Sequence, residues 1–429
     1  MAQQKQEKPM TLAGAVSMGI GGMVGGGIFA VLGLAVSTSK GATFIAFLIA
    51  GTITALTAYS YAKLSVAFPS TGGTTRFIHE GFGKNLWSGG LNTLLWLSYI
   101  VMLSLYSSAF GSYAVSLIPK DATHPWMWHA IVSGMVIFST GLNYFNARVI
   151  GQIESWVVGI KVTILLLMTI GGLWLLSDSQ YLDQMNPDSW PDAGTIIAGG
   201  MMIFVAYEGF ELIANTSSNI ERPTRNLPLA YGISVGFVVL LYVMISIVTV
   251  GSLSFDKIQS AEEYVLAEVA KPLMGQLGFT VVAITALLST FSATLSTLYG
   301  GSRVNYQVAD DDELPHGWAR KVWNEPLGLI LTSGVTLIFA NTVNLESIST
   351  SGSLGFLFIF GMVNLAHVRR SQDTGGKSWI SVIGAILCFV AAGALIVQQF
   401  ESNPKGAWIA LGIIIGSFAI ELFYKKSES

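Results

Sequence analysis

Two glutamates interrupt an apolar run, Phe204-Val-Ala-Tyr-Glu-Gly-Phe-Glu-Leu212, and place carboxyl chemistry where lipid would otherwise lie. A charged group at the centre of a bilayer costs at least about 2.5 kcal/mol. Glu208 and Glu211, on either side of Gly209, are therefore expected to face protein or water. Lys161, in Val157-Val-Gly-Ile-Lys-Val-Thr163, is equally out of place. Counting from about Gly151 at roughly 1.5 Å per residue puts it some 15 Å deep, too far for its amine to snorkel out. Its own helix offers no acidic residue at i±3 or i±4. A buried amine that takes up and releases a proton points to proton-linked work; an amine fixed by carbonyls is the structural alternative. Ser289, Ser292 and Ser296, in Leu287-Leu-Ser-Thr-Phe-Ser-Ala-Thr-Leu-Ser296, offer hydroxyl partners, although small hydroxyls also simply join helices. The five histidines are scattered, and no His-Glu-x-x-His or paired metal-ligand spacing occurs. No enzyme, metal, cofactor or nucleic-acid partner is expected.

A second unusual stretch is Gly19-Ile-Gly-Gly-Met-Val-Gly-Gly-Gly-Ile-Phe29. Glycines let a backbone approach an anion with its amides free, but neither the dinucleotide spacing nor the Gly-Lys-Ser/Thr ending of a phosphate loop is present. Gly21/Gly25 and Gly22/Gly26 make Gly-x-x-x-Gly pairs of the kind that bring membrane helices together.

The elements that must hold these residues are membrane helices. The chain has 429 residues, of which 52% are hydrophobic and only 11% charged, against about 25% charged in a soluble domain. Apolar runs of about 20 residues, enough to cross a hydrocarbon core, recur from end to end. Twelve segments are predicted, at 10–37, 41–67, 86–118, 126–144, 150–176, 194–216, 226–252, 275–306, 326–341, 347–368, 378–398 and 405–424. The first is preceded by Lys5 and Lys8 but is longer than a signal-peptide core, so it is expected to be retained. Cys388 stands alone and allows no internal disulfide.

Sixteen basic residues fall on the side of the N-terminus, among them Lys63, Arg76, Lys84, Arg148, Arg222, Arg225, Arg369 and Arg370; five fall opposite, Lys40, Lys120, Lys257, Lys271 and Lys405. That bias puts both termini in the cytoplasm. Asp178, Asp183, Asp188 and Asp192 then lie outside in a solvated loop, and Asp310-Asp-Asp-Glu313 lies in a cytoplasmic one. Trp126, Trp128, Trp190, Trp318, Trp323, Trp379 and Trp408 sit near segment borders, as interfacial anchors do.

Glycine-interrupted segments stand first and sixth, in corresponding places of two sets of five. Because five is odd, the second set runs through the membrane in the opposite sense. That is the pattern of an inverted-repeat secondary transporter, with its substrate site between two broken helices at mid-membrane. The repeats are expected at about 10–176 and 194–368, with peripheral helices at about 378–424, in one transmembrane domain. Half-helix amides can meet an anionic group while nearby carbonyls meet a cationic one. A zwitterionic amino acid suits both.

Five ordered motifs carry a resemblance over essentially the whole chain: Gly25-Gly-Gly-Ile-Phe29; Tyr61-Ala-Lys-Leu-Ser-Val-Ala-Phe-Pro-Ser-Thr-Gly-Gly73; Ala206-Tyr-Glu-Gly-Phe-Glu211; Asn219-Ile-Glu-Arg-Pro-Thr-Arg-Asn-Leu-Pro-Leu-Ala230; and the stretch from Tyr299 to Pro315. The chain resembles an amino acid permease of the amino acid–polyamine–organocation superfamily, and is similar to proton-coupled members with a lysine in the fifth helix. The resemblance implies a ten-helix core of two inverted repeats plus two peripheral helices, working by alternating access. It implies that the substrate carboxylate meets the amides of Gly25, Gly26 and Gly27, beside Ile28. The amino group would meet carbonyls near Met23 and around Phe204, Val205 and Tyr207, with Glu208 close by. It further implies that Lys161 replaces the sodium ion of related carriers, reaching the break in segment one and Ser289 and Ser292.

Two departures qualify this. Gly26 stands where many relatives carry a serine or threonine, so it offers the carboxylate no hydroxyl. Ser217-Ser-Asn219 and Arg222-Pro223 replace a common acidic pair and an asparagine-proline, so cytoplasmic gating contacts are not carried across. A channel would need filter residues in rings, and none repeats. The expectation is proton-coupled, sodium-independent uptake of amino acids at the plasma (inner) membrane. Small Gly26 and Gly27 beside Val205 suggest neutral substrates, whereas Glu208 would attract a cationic one. An amino acid exchanger with Glu211 as the pH-responsive group is the alternative.

Overall fold

A computed structural model describes residues 9–145, 147–310, 321–322 and 325–428. Lys5, Lys8, residues 311–313 of the acidic run, His316, Trp318, Arg320 and Trp323 lie outside the described residues. The chain is an all-α polytopic membrane protein. Each of the twelve expected segments is helical: Leu12–Met23 with Gly27–Ser39, Thr43–Ala67, Leu86–Ser116, Pro125–Phe145, Ala147–Leu175, Ala193–Met202 with a 3-10 continuation, Pro223–Ser252, Lys271–Asp310, Leu327–Thr342, Leu345–Arg369, Ser378–Ser402 and Pro404–Glu428. By length and composition, eight helices among the described residues can cross a membrane, or up to nine with the bent pair of segment six taken as one span.

These helices are apolar all round, as helices surrounded by protein and lipid must be. Trp156, Leu167, Ile170 and Trp174 leave the outer face of segment five bare and greasy, as the lipid side of a bundle is, whereas Leu94, Met102, Leu105 and Tyr106 of segment three are buried. Segment three is thus a central pillar. It starts at a capping box, in which Asn85 accepts from the Trp87 and Ser88 amides at 2.8 and 3.2 Å and the Ser88 hydroxyl accepts from the Asn85 amide at 2.8 Å.

The two ends of the bundle differ. One end holds the start of segment one beside Ile220, through Met10 N–H to Asn219 O at 2.7 Å, and an ion-pair cluster of Glu80 with Arg76 at 2.5 Å and Arg370 at 3.1 Å. The other is covered by the connection 253–270. There Ser37 donates to Glu262 Oε2 at 2.9 Å, and Glu268 pairs with Lys271 at 2.8 Å and Lys257 at 3.4 Å.

Candidate functional site

Segments one and six both lose their helical path at mid-length, and the losses face one another. Segment one stops at Met23, turns through Val24, Gly25 and Gly26, and resumes at Gly27. Segment six stops at Met202, bends there by 47° into a short 3-10 stretch at Phe204–Tyr207, and continues as a 3-10 helix at Phe210–Asn219. Gly209, between the two 3-10 stretches, holds φ at 114°, a conformation that side chains on Cβ strongly disfavour.

Glycine has a second task here. A Cβ on Gly22 would stand 2.6 Å from the Gly209 carbonyl oxygen, and one on Gly27 would stand 2.8 Å from Ala206 Cα. The two breaks therefore touch backbone to backbone. A Cβ on Gly26 would run into the Tyr106 ring, and one on Gly21 would stand 2.6 Å from Val158.

Breaking a helix in a dry interior releases amides and carbonyls that must find partners, since each one left bare costs several kcal/mol. Side chains supply several of them. Lys161 Nζ donates to Gly21 O at 2.9 Å, Tyr242 OH to Met23 O at 2.7 Å, and Ser289 Oγ to Val24 O at 3.2 Å and also toward Gly25 O. On segment six, Ser349 and Ser353 both donate to Met202 O at 2.8 Å, and Ser353 accepts from the Val205 amide at 3.0 Å. The Gly25 amide turns back onto Gly22 O at 3.1 Å. Gly26 and Gly27 open the second half of segment one, whose first-turn amides have no acceptor within their own helix.

The charged groups singled out in the sequence converge. Lys161 is 2% exposed, Glu208 4% and Glu211 1%. Glu208 Oε2 accepts from Tyr106 OH at 3.1 Å, Glu211 Oε2 accepts from the Gly209 amide at 2.7 Å, and the two carboxyl groups interact with each other. Gly21, Gly22, Tyr106, Lys161, Glu208 and Ser292 line one cavity of about 40 Å³, which also reaches Asn215 and Thr297. That volume holds water rather than an amino acid. Phe204, Val205 and Tyr207 are buried but do not line this cavity, and Tyr207 OH donates to Phe47 O at 2.9 Å. Met23 and Ile28 are buried at the two edges of the first break.

The match to known proteins covers nearly the whole chain: residues 10–419 fit the amino acid permease family. The chain belongs to that family. It is 34% identical to an uncharacterised protein of Methanocaldococcus jannaschii over 98% of this chain and 96% of that one. It is 27% identical to the inner membrane transport protein YbaT of Escherichia coli over 98% and 97% of the two chains. The methylthioribose transporter of Bacillus subtilis is 23% identical over 98% and 95%. A permease of this family is an integral membrane transporter.

Sequence reasoning did not single out Tyr106, Tyr242, Ser349, Ser353 or Asn215. A tyrosine or serine in an apolar helix is too common to mark a site, and these five come from segments three, six, seven and ten. Only folding shows which of them meet the breaks. The signal that existed was indirect: a chain that breaks two helices needs hydroxyl donors from the helices that cross them.

Proposed function

We propose that the chain is a proton-coupled, sodium-independent transporter of amino acids, working by alternating access between two inverted five-helix repeats, at about 10–176 and 194–368. The substrate is a neutral L-amino acid, held with its carboxylate at the amides of Gly25, which must leave Gly22 O to reach it, Gly26 and Gly27, and its amino group toward carbonyls of Met23 and Phe204 to Tyr207. Both termini face the cytoplasm from the plasma (inner) membrane. The carrying observation is the pair of contacts on segment one, Lys161 Nζ to Gly21 O at 2.9 Å and Ser289 Oγ to Val24 O at 3.2 Å. An ammonium and a hydroxyl here occupy carbonyls that a coupling metal cation would otherwise need. Protonated, the amine ties segment five to segment one through a charge-assisted hydrogen bond; neutral, it keeps only a weaker, uncharged N–H donor, and a difference in that interaction between conformations is what lets a proton bias the transport cycle.

The test is uptake of a panel of labelled amino acids into proteoliposomes, with and without an imposed pH gradient and with sodium replaced by choline. Accumulation of neutral amino acids that follows the pH gradient and ignores sodium supports the reading. A steep sodium requirement overturns it, and uptake that needs internal amino acid but no gradient assigns the chain to exchange, with Glu211 as the group that responds to pH.

A further inference from the structure

A second cavity, of about 210 Å³, opens at the end of the bundle opposite the N-terminus, between the end of segment three, the turn at Lys120–Ala122 and the connection that closes that end. It is about five times the volume of the cavity between the helix breaks. Lys120 and Glu263 line it from separate loops, together with Ser112, Thr123, Trp128 and Tyr264. Trp128 Nε1 donates to Ser112 Oγ at 3.0 Å, and Ser112 Oγ donates to Glu263 Oε2 at 2.5 Å. That chain fixes one carboxylate oxygen and leaves the other for a ligand. Lys120 makes no ion pair among the described residues.

We propose that this cavity is a second binding site for a zwitterionic α-amino acid, with the ligand's ammonium at Glu263, its carboxylate at Lys120 and its side chain against Trp128 and Tyr264. Two opposite charges share the cavity without neutralising one another. A simple cation or anion satisfies one of them, whereas a molecule carrying both charges satisfies both. Polar groups placed to orient a ligand against aromatic walls are the ordinary make-up of a small-molecule site. The site adjoins the closure of this end, because Glu262, next in the chain to Glu263, accepts from Ser37 in the far half of segment one. A ligand held at Glu263 thus sits on the loop that has to move for this end to open. The proposal rests on amino acids being the cargo.

Calorimetric titration of the purified, full-length chain with each L-amino acid it transports tests this. Wild type is expected to bind two molecules per chain. Glu263→Gln and Lys120→Gln, both substitutions in exposed loops, should each bind one, with the remaining Kd within about twofold of a wild-type value; that remaining event also reports an intact fold. Propionate and ethylamine, carrying one charge each, should fail to occupy the site lost in the variants. One molecule per wild-type chain, with uptake intact, overturns the second site alone. Two molecules retained in both variants also overturn it. No binding of any amino acid, with no uptake, overturns the cargo reading as well.

Discussion

Gly22 and Gly209 meet backbone against backbone: a Cβ on the first would stand 2.6 Å from the carbonyl oxygen of the second, and Gly209 itself holds φ at 114°. No side chain fits between the two broken helices at this point, which makes the pair a backbone contact fixed by size. Gly209→Ala is expected to cost about 1–3 kcal/mol from backbone strain, with added loss from collision with Gly22, and to abolish uptake. Gly159→Ala is the control, because nothing lies within 4 Å of a Cβ there; it should leave uptake unchanged. Thermal melting and proteoliposome uptake of both variants check this, and equal behaviour of the two would contradict the contact.

The hydroxyls on the carbonyls of the breaks should show as stability. Tyr242→Phe removes the donor to Met23 O at 2.7 Å and keeps the ring that packs on Phe47 with centroids 5.8 Å apart. Leaving a buried carbonyl bare costs about 1–3 kcal/mol, so the purified variant should melt several degrees lower. Tyr59→Phe, which removes a hydroxyl from the Lys377 amide in an exposed setting, should melt within a degree or two of wild type. Equal melting temperatures for the two variants would mean that water replaces the Tyr242 hydroxyl.

Glu262 gives a pH dependence with a definite sign. Burial, with the neighbouring Glu263 and Glu346 carboxylates, holds it above the usual carboxylate range, against the opposing pull of the Ser37 hydroxyl and Lys40. The folded chain therefore binds this proton more tightly than the unfolded chain does. Its contribution to stability is complete below the ordinary carboxylate value and is lost as pH rises through the raised one. Glu262→Gln keeps an acceptor for Ser37 and cannot titrate. The melting temperature of the variant relative to wild type should rise as pH is raised across that window, and parallel profiles would contradict the assignment.

The membrane class and the two interrupted helices were legible because they violate the composition around them. Eleven positions with six glycines, and carboxylates or an amine in apolar runs, are anomalies that need no third dimension. Of the residues so marked, Gly21, Gly22, Lys161, Glu208 and Ser292 line one cavity, whereas Gly25, Gly26, Gly27, Glu211 and Ser289 are not among its lining residues. The detail of segment six was not legible: nothing in Phe210-Glu-Leu-Ile-Ala-Asn-Thr-Ser-Ser-Asn219 announces ten residues of 3-10 helix. Nor was the partner of Gly26 legible. The missing hydroxyl at that position reads as a lost anchor in sequence, whereas in the fold the space of any side chain there is taken by Tyr106 from segment three. Helix crossings decide such pairs, and one sequence does not contain them.

Lys161 carries the central claim, and gradient-driven accumulation is its most direct measure. Wild type, Lys161→Ala and Lys161→Arg are reconstituted at equal density, sodium is replaced by choline, and amino acid uptake is followed under an imposed pH gradient. The alanine form loses the tie to Gly21 O and should not accumulate substrate, while its equilibrium binding is expected to persist in part. The arginine form keeps a charge that does not leave over the working pH range, so it too should fail to accumulate, by at least about tenfold relative to wild type, which in free energy is about 1.4 kcal/mol. Accumulation by the arginine form at the wild-type rate would contradict the account, making Lys161 a fixed structural charge and passing the proton to Glu211.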